Sequence, residues 1–358
     1  MDMQQLKAVI DRELAAGFFP GCVVAWGRGE ALQGICSRGL AQRASPAREM
    51  LDDSVFDVAS LTKVVATATA LGCAMESGKL SLDTQVVDVL GAPLEALPSA
   101  LTLRHVVTHS SGFDNAKPAP GLRGDAALAD WLSVPAAAPP GTQFVYACKN
   151  AVLGSLIVEA TTGIPFAVYC QDRVFAPLGM IDTCFGPLEP SERMVSCGAK
   201  ELGQISDEPA CAIGRPIGNA GVFSTARDLS RFARMMLNGG ELDGVRVLEP
   251  TTVRLLTSVQ APPGLPEFGV YWNMDQAPDP YHSRPGSCSS STYGHGGYTG
   301  QSLWIDPSHG DFVVVLSNRL CAKGLQEAPD RYTFLTEANL ARVRIGEAVF
   351  AEMRVQTG

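Results

Sequence analysis

The stretch Asp52–Ala68, DDSVFDVASLTKVVATA, decides how this chain is read. Continued from Ser60 as SLTKVVATATALGCAMESG, it is apolar nearly all round, which predicts a buried helix ending near Gly78. Ser60-Leu61-Thr62-Lys63 opens that helix and is the only Ser-x-x-Lys in the sequence. Residues three apart share a helical face, so the Lys63 ammonium reaches the Ser60 hydroxyl. A serine hydroxyl is a poor nucleophile until a neighbouring base takes its proton. Burial in so apolar a helix is expected to lower the pKa of Lys63 and fit it for that task. The first turn of the helix adds free N–H groups and a positive dipole end for a developing oxyanion. The tetrapeptide is weak alone, because chance supplies about one Ser-x-x-Lys in a chain of this length.

On the N-terminal side, Gly21–Trp26 (GCVVAW) is a short β-prone run, and Leu32–Gly39 is expected to pair back with it. The first residues predict an amphipathic helix with Leu6, Val9, Ile10 and Leu14 on one face. On the C-terminal side, helices are expected from about Asn150 to Thr162 and over TARDLSRFARMMLNGG, closed by its glycines. Gln301–Ile305 and Phe312–Ser317 flank a turn and predict an antiparallel hairpin, followed by a terminal helix. Strands at both ends with helices between give an α/β (α+β) fold. The expected division is a discontinuous sheet domain, 1–72 and 215–358, with a helical domain at 73–214 and an active site in the cleft between.

Bulk properties narrow the function. An apolar fraction of 46% and a charged fraction of 18% belong to a globular protein. A net charge of -9 argues against nucleic acid or an anionic membrane surface as partner. The start lacks the basic-then-apolar order of a secretory signal, and the run Val64–Met75 is too short to span a bilayer, so a cytoplasmic address without membrane association is expected. Ten cysteines without a CxxC pair read as reduced thiols. His105 and His109 have the spacing of a metal pair but no HExxH context, so neither metal nor cofactor is expected. The chain also lacks a Gly-x-Ser-x-Gly elbow and a GxxxxGK[ST] loop.

With its context, DDSVFDVASLTKVVATA resembles the first active-site motif of the penicillin-recognising serine enzymes, in the branch of class C β-lactamases and related esterases. Similar segments follow in order: LTLRHVVTHSSGF (101–113), FVYACKNAVLGSLIVEATTG (144–163), FAPLGMIDT (175–183), GNAGVFSTARDLSRFARMML (218–237) and YGHGGYTGQSLWIDP (293–307). The resemblance implies a β-lactamase/DD-peptidase-like fold, an antiparallel sheet flanked by helices with an all-helical insertion. It implies Ser60 as nucleophile, Lys63 and Tyr146 as its proton partners, and His295 at the third motif. It places the oxyanion hole at the backbone N–H groups of Ser60 and Tyr298, and substrate contacts at Cys148, Gly296 and Gly297. Two positions depart from the family pattern. Cys148 stands where Tyr-x-Asn has asparagine, and His295 stands where many relatives have lysine. A literal Tyr-x-Asn at Tyr271-Trp272-Asn273 lies too far along the chain and is set aside.

The expected activity is hydrolysis of small esters or amides through an acyl-enzyme, with a carboxylesterase favoured. A β-lactamase or D-amino-acid peptidase is the alternative. A non-catalytic binding protein on the same fold is the alternative of another class.

Overall fold

Two stretches far apart in sequence build one sheet. In the computed structural model, which describes residues 3–42, 46–91, 97–198, 201–274 and 284–355, helix α1 (Met3–Ala15) precedes strands β1 (Gly21–Arg28), β2 (Ala31–Gln42) and β3 (Arg48–Glu49). Strands β4 (Tyr293–Gly297), β5 (Gln301–Asp306) and β6 (Asp311–Ser317) return near the other end. The order is β3-β2-β1-β6-β5-β4, every pair antiparallel, with Val24 opposite Val315 and Leu303 opposite His295. The central strands β1, β5 and β6 are buried on both faces because both are covered.

On one face Cys22, Val24, Trp26, Trp304, Val313 and Val315 pack with Leu6 and Ile10 of α1 and with Ile345, Val349 and Phe350 of the C-terminal helix. On the other, Val23, Ala25, Leu303, Phe312, Val314 and Leu316 join the larger core that includes the central helices. Those helices are α2 (Thr69–Glu76), α3 (Cys148–Thr162) and α4 (Ala226–Leu237); the C-terminal helix is α5 (Arg331–Val355). No single helix among the described residues is long and apolar enough to cross a membrane.

Three local features differ from the sequence expectation. The helix expected from Ser60 is a tight turn at Ala59–Leu61, then a wider, π-type turn at Lys63–Ala68, and only then α2. Side chains explain the widening: the Thr69 hydroxyl donates to the Val64 carbonyl at 3.0 Å, and Thr67 donates outward to the Gly218 carbonyl at 2.7 Å. Helix α3 begins at Cys148, earlier than Asn150, so the second motif leads straight into it. His295-Gly296-Gly297 ends an edge strand, β4, that the sequence expectation did not include, directly ahead of the strand at Gln301.

Candidate active site

Ser60 stands on a bend that its neighbours enforce. Ala59 has φ +46°, a left-handed conformation that costs an alanine about 1 kcal/mol. Asp57 holds it there. Its buried carboxylate accepts from the Ala59 N–H at 2.9 Å and from the Ser206 N–H at 2.7 Å. The Asp57 carbonyl accepts from the Thr299 hydroxyl at 3.0 Å. The turn carrying Ser60 is therefore tied to the loop before Asp207 and to the end of β4.

Lys63 is fully buried, and its Nζ donates to Ser60 Oγ at 2.8 Å and to the Asn219 carbonyl at 2.9 Å. The buried Tyr146 hydroxyl faces Ser60 and Lys63, and Lys63 Nζ lies 5.2 Å from the centre of the Tyr146 ring. The thiol of Cys148 completes the cluster, in contact with Lys63 and with the Asn219 side chain. Asn219 Nδ2 in turn donates to Asp207 Oδ1 at 3.0 Å.

The electrostatics correct one expectation. Burial does pull Lys63 down, but Cys148 and Tyr146 beside it, with Asp207 behind, outweigh that effect and hold its pKa above the ordinary lysine value. Burial pushes the Tyr146 phenol up against the pull of Lys63, and it does the same to the Cys148 thiol. At rest the site holds an ammonium beside a neutral phenol and a neutral thiol, and the attraction that holds Lys63 up acts as one of these neighbours ionises.

Tyr146 is flanked by two imidazoles, His109 with ring centres 4.6 Å apart and His295 at 5.9 Å. His295 is buried, and its Nδ1 lies 2.7 Å from the Gly296 carbonyl, which places the proton on that nitrogen. A side chain on Gly297 would meet the Val58 carbonyl at 2.7 Å, so this glycine lets edge strand β4 run against the segment leading into Ser60. Tyr298, the next residue, follows with half its surface exposed.

Sequence reasoning gave no role to four residues that the structure brings here: Asp57, His109, Asp207 and Asn219. His109 Nδ1 faces the Ala147 N–H at 3.3 Å and Asn150 Nδ2 at 3.2 Å, and so fixes the segment carrying Tyr146. His105, its expected metal-pair neighbour, caps its own helix with Thr102 instead. Tyr271 donates its hydroxyl to the Asn150 carbonyl at 2.8 Å, away from Ser60. Asn219 works through a backbone carbonyl, which no residue pattern announces.

Lys149, next to Cys148, is buried, and no carboxylate among the described residues forms an ion pair with it. Its Nζ donates to the Val134 carbonyl at 2.6 Å and lies 4.5 Å from the centre of the Phe113 ring. Burial lowers its pKa to about 8, with Asp114 opposing weakly. The unfolded chain then binds more protons between about pH 8 and the ordinary lysine value, so Lys149 makes stability rise with pH across that window. The full shift is worth about 3 kcal/mol. Urea unfolding at pH 7.5, 9 and 10 checks this: Lys149→Met flattens the rise, and equal slopes in both proteins rule it out.

Comparison with known proteins agrees with the fold. The beta-lactamase family model matches residues 6–337. A curated Escherichia coli K12 protein, "Putative D-alanyl-D-alanine carboxypeptidase", is 29% identical over 306 residues, covering 74% of this chain and 69% of its own. Among solved structures, a β-lactamase from Sulfitobacter sp. EE-36 superposes with a TM-score of 0.73 at 20% identity, covering 99% of both chains. EstCE1, "a hydrolase with promiscuous acyltransferase activity", gives 0.70 at 22% identity over 94% of this chain and 97% of that one. The matched region contains the whole Ser60–Lys63–Tyr146 cluster, and the chain belongs to the beta-lactamase family and is a serine hydrolase.

Proposed function

We propose that the protein hydrolyses small carboxylic esters through an acyl-enzyme on Ser60. The observation that carries this reading is the buried Lys63 ammonium, 2.8 Å from Ser60 Oγ, with the buried Tyr146 hydroxyl facing both. With Lys63 charged and Tyr146 neutral, neither group can accept a proton. The pair must first lose one to the cleft, and Tyr146 is taken as the group that loses it because the adjacent ammonium pulls the phenol down against burial. The resulting phenolate, stabilised by the adjacent ammonium, takes the Ser60 proton as Oγ attacks the carbonyl. The N–H groups of Ser60 and Tyr298 receive the oxyanion. Tyr146 then protonates the departing alcohol, and water attacking at the same place releases the acid.

Two substitutions favour esters over β-lactams or D-peptides. Cys148 offers a weak thiol where an asparagine would bind a substrate amide, and buried His295 replaces a fixed cation that would hold a substrate carboxylate. The test is intact-mass analysis after a fluorophosphonate probe and, separately, a penicillin. Wild type is expected to gain one adduct and Ser60→Ala none; equal labelling of both, or of neither, ends the acyl-enzyme reading. Turnover of p-nitrophenyl acetate is expected to exceed that of a chromogenic cephalosporin and of a D-alanyl-D-alanine peptide. The reverse order would favour the β-lactamase or peptidase reading suggested by the relatives' names.

A further inference from the structure

We propose that His109 is the positioning residue for Tyr146, a clamp seated by Tyr271 that holds the phenol where it exchanges a proton with Ser60. The inference rests on the reading of Tyr146 as proton carrier and adds the residue on which that role depends. His109 grips the chain on both sides of Tyr146. Its backbone carbonyl accepts from the Val145 N–H at 2.9 Å, and its ring Nδ1 accepts from the Ala147 N–H at 3.3 Å. The tyrosine lies between these two bonds, and its ring packs on the imidazole with centres 4.6 Å apart and planes 37° apart. Nδ1 also lies 3.2 Å from Asn150 Nδ2. With two N–H donors facing it, Nδ1 is an acceptor, which assigns the ring proton to Nε2.

The clamp is built against backbone preference. His109 is fully buried with φ +55°, a left-handed conformation that persists in a residue with a side chain only where its surroundings over-determine it. Here Phe268 and Tyr271 both meet the imidazole edge-on, each with ring centres 5.7 Å away. Tyr271 is left-handed too, at φ +59°. Its N–H donates to the Val107 carbonyl at 2.8 Å, and its hydroxyl donates to the Asn150 carbonyl at 2.8 Å. Tyr271 thus ties the chain just before His109 to the first turn of α3, which follows directly on Tyr146. The tyrosine of the second Tyr-x-Asn sequence finds its place here, in seating His109.

Residues 143–147 belong to no helix or strand, so the hold on the phenol comes from outside the segment. Precision matters there, because a misplacement of about 1 Å between reacting groups costs about 10²-fold in rate. His109 touches neither Ser60 nor Lys63 in this arrangement, and its effect on the reaction passes through Tyr146.

A double-mutant cycle with Tyr146→Phe tests the proposal. His109→Leu removes the ring acceptor, whereas His109→Asn keeps an oxygen near the place of Nδ1 and tolerates a left-handed backbone. With p-nitrophenyl acetate, the leucine variant is expected to lose about 10²-fold in kcat and the asparagine variant about tenfold, with KM little changed in both. In the Tyr146→Phe background, slow already, each should cost no more than about twofold, because a residue that acts through Tyr146 then has nothing left to position. Where turnover is too slow to read, the rate of Ser60 labelling by the fluorophosphonate gives the same ratios. Should the leucine variant fail to fold, the asparagine variant carries the cycle alone. Losses of equal size in both backgrounds, which a merely structural residue gives, overturn the inference, and so does an asparagine variant no better than a folded leucine one. Failure of the underlying reading looks different: Tyr146→Phe alone then leaves kcat unchanged.

Discussion

Lys63→Met is expected to lower kcat/KM for p-nitrophenyl acetate by about 10³- to 10⁴-fold while leaving the protein folded. The size follows from what the ammonium does. Among the described residues it is the cation that faces Tyr146, and its field pulls the phenol's pKa down against burial. Without it the phenolate form becomes too costly at neutral pH, and most of the general-base contribution, about 10²- to 10⁴-fold, goes with it. Ser60 Oγ also loses the donor at 2.8 Å that orients it. Stability changes less. Methionine fills nearly the same volume and removes a charge that burial disfavours, while the Asn219 carbonyl loses its 2.9 Å partner at a cost of about 1–3 kcal/mol. The pH profile separates this role from a structural one. Wild-type kcat/KM is expected to rise with pH as the Lys63–Tyr146 pair gives up its proton, and the variant should lack that rise within the same range. A variant that keeps the limb and loses only amplitude would contradict the assignment. Lys63→Arg offers no rescue, because a guanidinium does not fit a fully buried site packed around an ammonium.

The parts of this site that were legible in the sequence are those that depend on side-chain identity at short spacing. Ser60 and Lys63 announce themselves through helical periodicity, and Gln301–Ile305 with Phe312–Ser317 through apolar runs about a turn. The resemblance carried the reading across to Tyr146 and His295, which lie far from Ser60 in sequence. What stayed hidden is what tertiary structure alone creates. The segment after Ser60 reads as one continuous helix, because no local pattern shows that Thr67 will bond to Gly218 or that Thr69 will bond back to Val64. The sign of the Lys63 shift was misjudged for a related reason. An apolar helix argues for desolvation, and desolvation is indeed the largest single effect, but Cys148, Tyr146 and Asp207 converge on the ammonium from other segments.

Asp57→Ala is expected to cost about 10²- to 10³-fold in kcat, with KM changing little, although Asp57 touches no substrate. Its carboxylate holds the Ala59 N–H in the left-handed bend that aims the N–H of Ser60. Its other oxygen anchors Ser206, next to Asp207. Removing the side chain leaves two N–H groups without these acceptors and frees Ala59 to relax, so the Ser60 N–H proposed as oxyanion donor drifts from its aim. The kinetic figure is that of losing one oxyanion-hole donor, and the orphaned groups cost about 2–4 kcal/mol of stability. Asp57→Asn separates charge from geometry. It keeps one oxygen for Ala59 but turns an NH₂ toward Ser206, so its kcat should lie between wild type and alanine. Burial raises the Asp57 pKa above its ordinary value despite the hydrogen bonds it accepts. The folded protein therefore binds more protons at this site than the unfolded chain does. Its contribution favours folding below the ordinary carboxylate pKa and fades as pH rises through the raised value. Asp57→Asn abolishes that slope, and urea unfolding from pH 3.5 upward measures it. A wild-type slope that survives in the asparagine variant would place the titration elsewhere. An alanine variant with unimpaired kcat would show that the bend before Ser60 is held without Asp57.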